Sequence, residues 1–306
     1  MNHSKEDSVT GAEKVFVNGR FLSAKRASIS VFDRGLTYGD GLFETIRAYG
    51  GRPFALDRHL SRLRRGLDEL GIPSITETNI EETINKLLRH NRLDSSDAYI
   101  RLTVTRGADY GGLLPSEDIK PSIIIIARKI DTRKIKMWQR DGVSVSLLEG
   151  YPSPLPHMKT LNYLPSLVAK MDAVKRGTVE GLFVQNGFVT EGATSNIFTV
   201  KKGVLRTPPA DGSILPGVTR EIILELAESN RVPWSESPLT ATELMGSEEA
   251  FITNSILEIV PVAGVDGRVI GNGRGGPTTR ILQRAYRDLI IESDAHGVIK
   301  SSIRSR

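Results

Sequence analysis

The sequence predicts an α+β protein in two domains. Three observations carry that expectation. The chain has 306 residues, roughly twice a common domain size of about 150. Apolar residues recur with the two-residue period of strands in some segments and at spacings of three and four in others. Tight-turn dipeptides and short strands crowd the second half, so strands and helices are segregated rather than strictly alternating.

The elements follow in order. Phe16 to Phe21 reads as two short strands around Asn18-Gly19, a strong hairpin signal. Ser28 to Phe32 and Leu42 to Ala48 read as strands, the latter following Gly39-Asp40-Gly41. Leu60, Leu63, Leu67 and Leu70 form one helical stripe, stopped by Gly71 and Pro73. Ile80, Ile84, Leu87 and Leu88 mark a second helix. Tyr99 to Thr105 and the apolar run Ser122 to Ala127 are strands. Polar residues 130–140 are taken as the linker between a small domain, 15–129, and a large one, 141–306. Val143 to Leu148 is a strand, and Pro152, Pro154 and Pro156 then exclude regular structure. A helix is expected from Tyr163 to Lys175. Strands flank Asn186-Gly187, and Ile197 to Val200 runs into Lys202-Gly203. Helices are expected over Thr219 to Asn230 and Arg280 to Ile291, with strands at Ala250 to Thr253 and Ile259 to Val265. Gly271 to Gly276 reads as a loop.

Composition narrows the function. There is no cysteine, which excludes disulfides, thiolate–zinc sites and a cysteine nucleophile and fits a cytoplasmic location. No apolar run approaches the ~20 residues of a membrane helix. Residues 1–14, with Glu6, Asp7 and Glu13, lack the apolar core of a signal peptide and read as a disordered lead. The net charge of +5 is scattered, apart from Lys300, Arg304 and Arg306, so no nucleic-acid partner is expected. The five histidines have no metal-binding spacing. Neither a GxSxG elbow nor a GxxxxGK[ST] loop occurs.

Five segments are candidates for chemistry. Lys159 lies between a proline-rich loop and an apolar helix, where burial would favour an amine nucleophile. Glu191 precedes Gly192-Ala193-Thr194-Ser195, where backbone can approach a ligand closely. Leu215-Pro216-Gly217-Val218-Thr219-Arg220 puts glycine and threonine at a helix start, an anion site by its free amides. Thr253-Asn254-Ser255 offers donors after a buried strand. Arg62 lies off the apolar stripe of its helix. Singly, each has an ordinary alternative: a surface lysine, a polar turn, an N-cap by Thr219, a plain turn and a solvated arginine.

Together these segments resemble the fold-type IV pyridoxal-phosphate enzymes: branched-chain aminotransferases, D-amino-acid aminotransferases and aminodeoxychorismate lyases. The resemblance runs from about Val15 to Leu289. It is carried by Tyr38 to Glu44, His59 to Leu63, Tyr99 to Arg101, Lys159 to Leu164, Glu191 to Phe198, Leu215 to Arg220 and Thr253 to Pro261. It implies a small α/β sandwich domain and a larger β-rich pseudo-barrel domain with helices. It implies that Lys159 carries pyridoxal 5′-phosphate and moves a proton between Cα and C4′. Glu191 would keep the pyridine nitrogen protonated. Arg62 would hold the phosphate with the Val218 and Thr219 amides and the Ser255 hydroxyl, and Tyr163 would bond the phenolic oxygen. A homodimer is implied, with Tyr38 and the loop around Gly112–Leu114 bordering the site.

Within the family, the chain most resembles branched-chain aminotransferases. In that group Tyr99 and the Ser255 and Ile256 amides would hold the substrate α-carboxylate. Arg101 would take the distal carboxylate of glutamate or 2-oxoglutarate, and Phe43 would line the pocket. Gly39 to Thr45 and Thr253 to Ile259 also resemble the lyases, which eliminate pyruvate. Thr105-Arg106-Gly107 is not followed by the Arg-x-His pair of the D-specific enzymes. The expected reaction is transamination between a branched-chain L-amino acid and 2-oxoglutarate. The alternatives are aminodeoxychorismate lysis and D-amino-acid or R-amine transamination.

Overall fold

The computed structural model describes residues 13–75, 78–150 and 153–296. Most of the expected N-terminal lead and the basic residues Lys300, Arg304 and Arg306 lie outside them. The chain divides into two compact units. One comprises the residues up to Ile130 with Lys159–Leu161, and the other Asp131–Met158 with Asn162 onward.

In the first unit β1 (Lys14–Val17) and β2 (Arg20–Ser23) form the expected hairpin. Asn18 and Gly19 have φ of 45° and 84°, the two left-handed residues that a type I′ turn requires. A short helix α1 (Arg34–Thr37) precedes β3 (Gly41–Tyr49) and β4 (Arg52–Pro53). Then come α2 (Leu56–Glu69), α3 (Ile80–His90), β5 (Ala98–Thr105) and β6 (Ser122–Lys129). Among the described residues the six strands form one antiparallel sheet, β2-β1-β6-β5-β3-β4. Register places Leu42, Glu44 and Ile46 of β3 opposite Val104, Leu102 and Ile100 of β5. That face packs under α2, and Gly66 makes the fit possible: a Cβ there would stand 2.6 Å from Leu42 Cδ1. Leu63, Leu67, Ile84, Leu87 and Leu88 complete the buried layer, each contributing about 1.5–3 kcal/mol on burial. The opposite face carries Phe43 and Thr45 with Thr103 and Arg101.

Ser28 to Phe32 is not a strand. Ile29, Val31 and Phe32 are 40%, 70% and 45% exposed, and only Asp33 makes an isolated bridge, to Ala108. Alternation gave the right period, but no neighbouring strand supplies a ladder.

The second unit opens with α4 (Thr132–Asp141), which occupies the segment read as a linker. Asp131 caps it and Gly142, at φ 82°, ends it; Ile135 is its buried residue, so the segment looks polar in sequence. There follow β7 (Val143–Glu149), α5 (Leu164–Lys175), β8 (Glu180–Gln185), β9 (Phe188–Gly192), β10 (Asn196–Lys201) and β11 (Val204–Thr207). Next are α6 (Val218–Ser229), β12 (Trp234–Glu236), β13 (Leu239–Thr240), α7 (Ala241–Met245), β14 (Glu249–Asn254) and β15 (Glu258–Val265). The short β16 (Arg268–Val269) and α8 (Pro277–His296) close the unit.

Among the described residues ten strands form a mixed sheet in the order β12-β11-β10-β14-β15-β7-β8-β9-β13, with β16 on β15. It is curled as a half-barrel. β7 runs parallel to both β8 and β15, which explains the long connections between them. Hairpin turns at Asn186-Gly187 and Lys202-Gly203 repeat the pair of positive φ values. Val145, Leu182, Ile197, Ile252 and Val260 make one core. On the other side α6 and α8 pack against each other and against β14.

A buried carboxylate starts α8. Glu249 accepts from the amides of Thr278 (3.0 Å) and Thr279 (2.8 Å) and from Thr279 Oγ1 (2.6 Å), satisfying helix-start donors where a negative charge is favoured. Glu249→Ala should lower the unfolding free energy by about 2–3 kcal/mol, the scale of leaving buried donors unpaired. Urea titration checks this, and an unchanged midpoint would show that the cap is dispensable.

Candidate active site

Lys159 is set by strand pairing. β4 pairs only with Ala48 and Tyr49, which leaves the start of β3 open on that edge. Residues 159–161 cover it. Phe43 N–H donates to the Lys159 carbonyl at 3.0 Å, and Leu161 N–H to the Gly41 carbonyl at 3.0 Å. Thr160 forms a bridge with Leu42. Gly41 is required here, since a Cβ would stand 2.5 Å from the Val104 carbonyl oxygen. Thr160 is buried and Lys159 half-buried. Lys159 Nζ lies 4.4 Å from the centre of the Phe43 ring. The guanidinium carbon of Arg101 lies 3.8 Å from the centre of the same ring, so two cations share one aromatic face system. Among the described residues the Arg101 side chain makes no hydrogen bond or ion pair. Tyr99, two residues earlier on β5, is also half-buried.

Arg62 is not a solvated arginine. It is buried, and Glu44 of β3 grips it from beneath α2: Nε donates to Oε1 at 2.8 Å and Nη2 to Oε2 at 2.7 Å. His59, one helical turn before Arg62, lies 2.7 Å from the same Oε2 through Nδ1. Burial opposes the charge on Glu44, but Arg62 and His59 outweigh it and hold its carboxyl down at about 2. A carboxylate can only accept, so His59 must donate from Nδ1. Burial also pulls the His59 pKa below its ordinary value, against the pull of Glu44; the ring is neutral near pH 7.

In the second unit, Glu191 Oε2 accepts from the Leu215 amide at 3.1 Å, and Asn196 Nδ2 donates to the Leu215 carbonyl at 3.0 Å. The Leu215 peptide is thus held from both sides. Gly217 passes so close to Asn196 that a Cβ would overlap its Oδ1. Gly217, not Thr219, is the N-cap of α6, and no side chain caps that end. The first amide to bond within the helix is that of Glu221, so the Val218 and Thr219 amides precede the ladder. Tyr163 Oη donates to the Ala193 carbonyl at 3.4 Å. Ser255 and Ile256 lie in a turn wound around Asn254, whose Oδ1 accepts from the amides of Ile256 (3.0 Å) and Leu257 (2.8 Å). Asn254 Nδ2 donates in turn to the Thr194 carbonyl at 3.0 Å. The turn after Glu191 is also braced by buried Glu180, which accepts from Thr194 Oγ1 at 2.5 Å and Ser195 Oγ at 3.4 Å.

Residues 41–265 match the family described as amino-transferase class IV. The chain belongs to the class IV aminotransferases. It is 41% identical to a protein of Methanocaldococcus jannaschii provisionally named a branched-chain-amino-acid aminotransferase, over 90% of this chain and 96% of that one. It is 32% identical to the D-alanine aminotransferase of Bacillus licheniformis, over 93% of this chain and 100% of that one. Among solved structures it is similar to the branched-chain aminotransferase of Escherichia coli, with a TM-score of 0.83, 32% identity and coverage of 91% and 94%. It is also similar to the 4-amino-4-deoxychorismate lyase of Pseudomonas aeruginosa, with a TM-score of 0.75, 33% identity and coverage of 90% and 98%.

Class IV aminotransferases depend on pyridoxal phosphate. Each unit, taken by itself, offers groups that fit part of such a cofactor. The first unit has an amine on an aromatic ring at Lys159 and a buried guanidinium at Arg62, and the second has a carboxylate bonded to a backbone amide at Glu191 and an uncapped helix start at Val218 and Thr219. These match the aldehyde, ring nitrogen and phosphate in charge and hydrogen-bonding sense.

Reading residues alone did not single out Glu44, His59, Glu180 or a network around Arg34. That side chain donates to the carbonyls of Gly112 (3.0 Å) and Leu113 (2.7 Å) and to Asp40 Oδ2 (2.9 Å), and lies 4.7 Å from the Tyr38 ring centre. It ties Tyr38 to the 112–114 loop. Arg106 reaches the same Asp40 oxygen at 2.7 Å. Burial raises the Asp40 pKa, but the two arginines overcome it and leave it lowered.

A pH dependence follows from Glu44. Its folded value lies below the ordinary 4.5, so its ionised form contributes stability above that pH. The contribution is lost as pH falls through about 2. Protonation of buried His59 opposes the fold in the same direction, beginning below its ordinary 6.5. Urea stabilities of wild type and Glu44→Gln should therefore converge as pH falls below 4.5. A gap that stays constant across that window would show that Glu44 is not held ionised.

Proposed function

We propose that this aminotransferase moves the amino group between a branched-chain L-amino acid and 2-oxoglutarate, with pyridoxal phosphate as its cofactor. The observation that carries this reading is Arg101: a half-buried guanidinium stacked on Phe43 beside Lys159, with no carboxylate of its own among the described residues. Such a group matches the distal carboxylate of glutamate, while its aromatic support suits an apolar side chain in the alternate substrate.

The cofactor, when bound, supplies the electron sink that makes the substrate Cα–H acidic. Lys159 Nζ would hold the cofactor and serve as the base that moves the substrate Cα proton. Glu191, fixed by the Leu215 amide, would pair with the ring nitrogen and keep it protonated. Arg62, the Val218 and Thr219 amides and the Ser255 hydroxyl hold the phosphate. Tyr163 gives its hydroxyl to the phenolic oxygen, exchanging the long bond to Ala193 for a charged acceptor. Tyr99 and the Ser255 and Ile256 amides take the α-carboxylate. For Ile256 this competes with Asn254 Oδ1, so the substrate reorganises that turn. Phe43 lines the side-chain pocket.

The proposal includes a homodimer. Val31, Leu36, Tyr110, Leu113 and Leu114 are 70%, 64%, 81%, 75% and 84% exposed, more apolar surface than single scattered residues present. Tyr38 and the 112–114 loop belong to that surface and would border the site from the partner. A cytoplasmic location is proposed from the absence of cysteine. No described helix is long and apolar enough to cross a membrane.

A second reading, aminodeoxychorismate lysis, is favoured by the likeness to the Pseudomonas lyase. The two share cofactor residues, so substrates must separate them. L-leucine, L-glutamate, D-alanine and R-phenylethylamine are added singly to the yellow holoenzyme, and conversion to the pyridoxamine form is followed by absorbance. Fast conversion by L-leucine and L-glutamate is expected. Conversion by D-alanine or the amine alone would overturn the L-specific reading. No conversion, with pyruvate released from aminodeoxychorismate, would make it a lyase.

Arg101→Ala should lower kcat/KM for glutamate by about 10²-fold, the scale of a lost charge-assisted bond, and that for leucine by less than about threefold. Equal losses for the two donors would remove Arg101 from the distal-carboxylate role.

A further inference from the structure

Glu44 and His59 have no part in the roles assigned above, yet they are the most buried polar side chains around Arg62, at 1% and 2% exposure. We infer that Glu44, braced by His59, is a positioning residue that sets the Arg62 guanidinium for the cofactor phosphate. The inference rests on the reading of Arg62 as a phosphate ligand.

An arginine side chain has several rotatable bonds and no fixed head-group plane until something fixes it. Glu44 does so with a two-point grip on Nε and Nη2, at 2.8 and 2.7 Å. The grip defines the guanidinium plane and hence the directions in which all its N–H groups point. Glu44 cannot swing, because His59 Nδ1 takes the outer lone pair of Oε2 at 2.7 Å. His59 and Arg62 share α2, so the carboxylate is tied to that helix twice.

Register couples the two anchors. Phe43 N–H holds the Lys159 carbonyl, and the next residue of β3 holds Arg62. One strand therefore spaces the amine and the phosphate anchor, and a change at Glu44 alters one without the other.

A buried ion pair contributes little net stability compared with apolar packing of equal volume. Its charge alone would act against phosphate: Glu44 lowers the positive potential at Arg62. Removing that charge by electrostatics alone would tighten phosphate binding, whereas loss of positioning would loosen it. The two roles predict opposite signs.

The test compares pyridoxal phosphate with pyridoxal, which lacks the phosphate. Apoenzyme is prepared from wild type, Glu44→Gln, Glu44→Asp and Arg62→Lys, and affinity for each compound is read by spectral titration. Glu44→Gln keeps shape and can still meet His59, whose neutral ring can accept at Nδ1 by changing tautomer. It is expected to weaken pyridoxal phosphate about tenfold or more, one charge-assisted bond's worth, with pyridoxal unchanged. Glu44→Asp keeps the charge but withdraws the grip by one methylene, and should weaken pyridoxal phosphate in the same sense. Unchanged or tighter pyridoxal phosphate binding in Glu44→Gln overturns the inference, as does an equal loss for both compounds. Arg62→Lys tests the reading beneath. If it leaves the ratio of the two affinities at the wild-type value, Arg62 is not the phosphate ligand. If it lowers the ratio and Glu44→Gln does not, Arg62 keeps its role and Glu44 loses this one. Should Glu44→Gln fail to fold, His59→Asn carries the same comparison, with an expected fall in the ratio of about threefold from one weakened brace.

Discussion

Strand β3 is used on both faces and along an edge. Leu42, Glu44 and Ile46 point under α2, and Phe43 and Thr45 point the other way. The edge that β4 leaves uncovered takes residues 159–161. A one-residue slip would turn Glu44 out of reach of Arg62 and put Phe43 into the apolar layer. Such a slip is opposed by the eight paired positions with β5, by Gly66 seated on Leu42 and by Gly41 against Val104. The rigidity of the sheet thus becomes the placement of Lys159, Arg101 and Arg62.

The second unit uses a different device. Its candidate residues lie on turns or at the ends of strands and helices, and buried polar side chains hold the turns beside them. Glu180 takes the hydroxyls of Thr194 and Ser195, Asn254 takes two amides of its own turn, and Asn196 pins the Leu215 peptide. Each such group would be expensive to bury unpaired, so each specifies one loop conformation. The start of α6 is the exception. Gly217 supplies no side-chain cap, and the helix start forgoes the stability that such a cap would add.

Much of this was legible in the sequence where one local rule decides. Asn-Gly turns gave hairpins because both residues tolerate positive φ, and the leucine stripe of α2 gave its buried side. The family resemblance singled out Lys159, Glu191 and the start of α6 through short motifs whose spacing is local. What escaped was long-range or masked by composition. Glu44 sits in Leu-Phe-Glu-Thr-Ile, where a carboxylate reads as the solvent side of a strand. Its partners come 15 and 18 residues later, and only the packing of α2 on β3 joins them. Arg34 looks like any surface arginine until the 112–113 carbonyls close on it. Helix α4 has one buried residue and so no stripe to detect, while Ser28 to Phe32 has the period of a strand without a neighbour to pair with.

The most direct measurement concerns the lysine on the edge of β3. Holoenzyme is treated with borohydride, digested, and its peptides are mapped by mass spectrometry. A phosphopyridoxyl group on Lys159, absent from every other lysine, is the expected result. Stoichiometric modification of a different lysine, or none in a protein that retains bound cofactor, would contradict the placement of the amine on which the rest of the site depends.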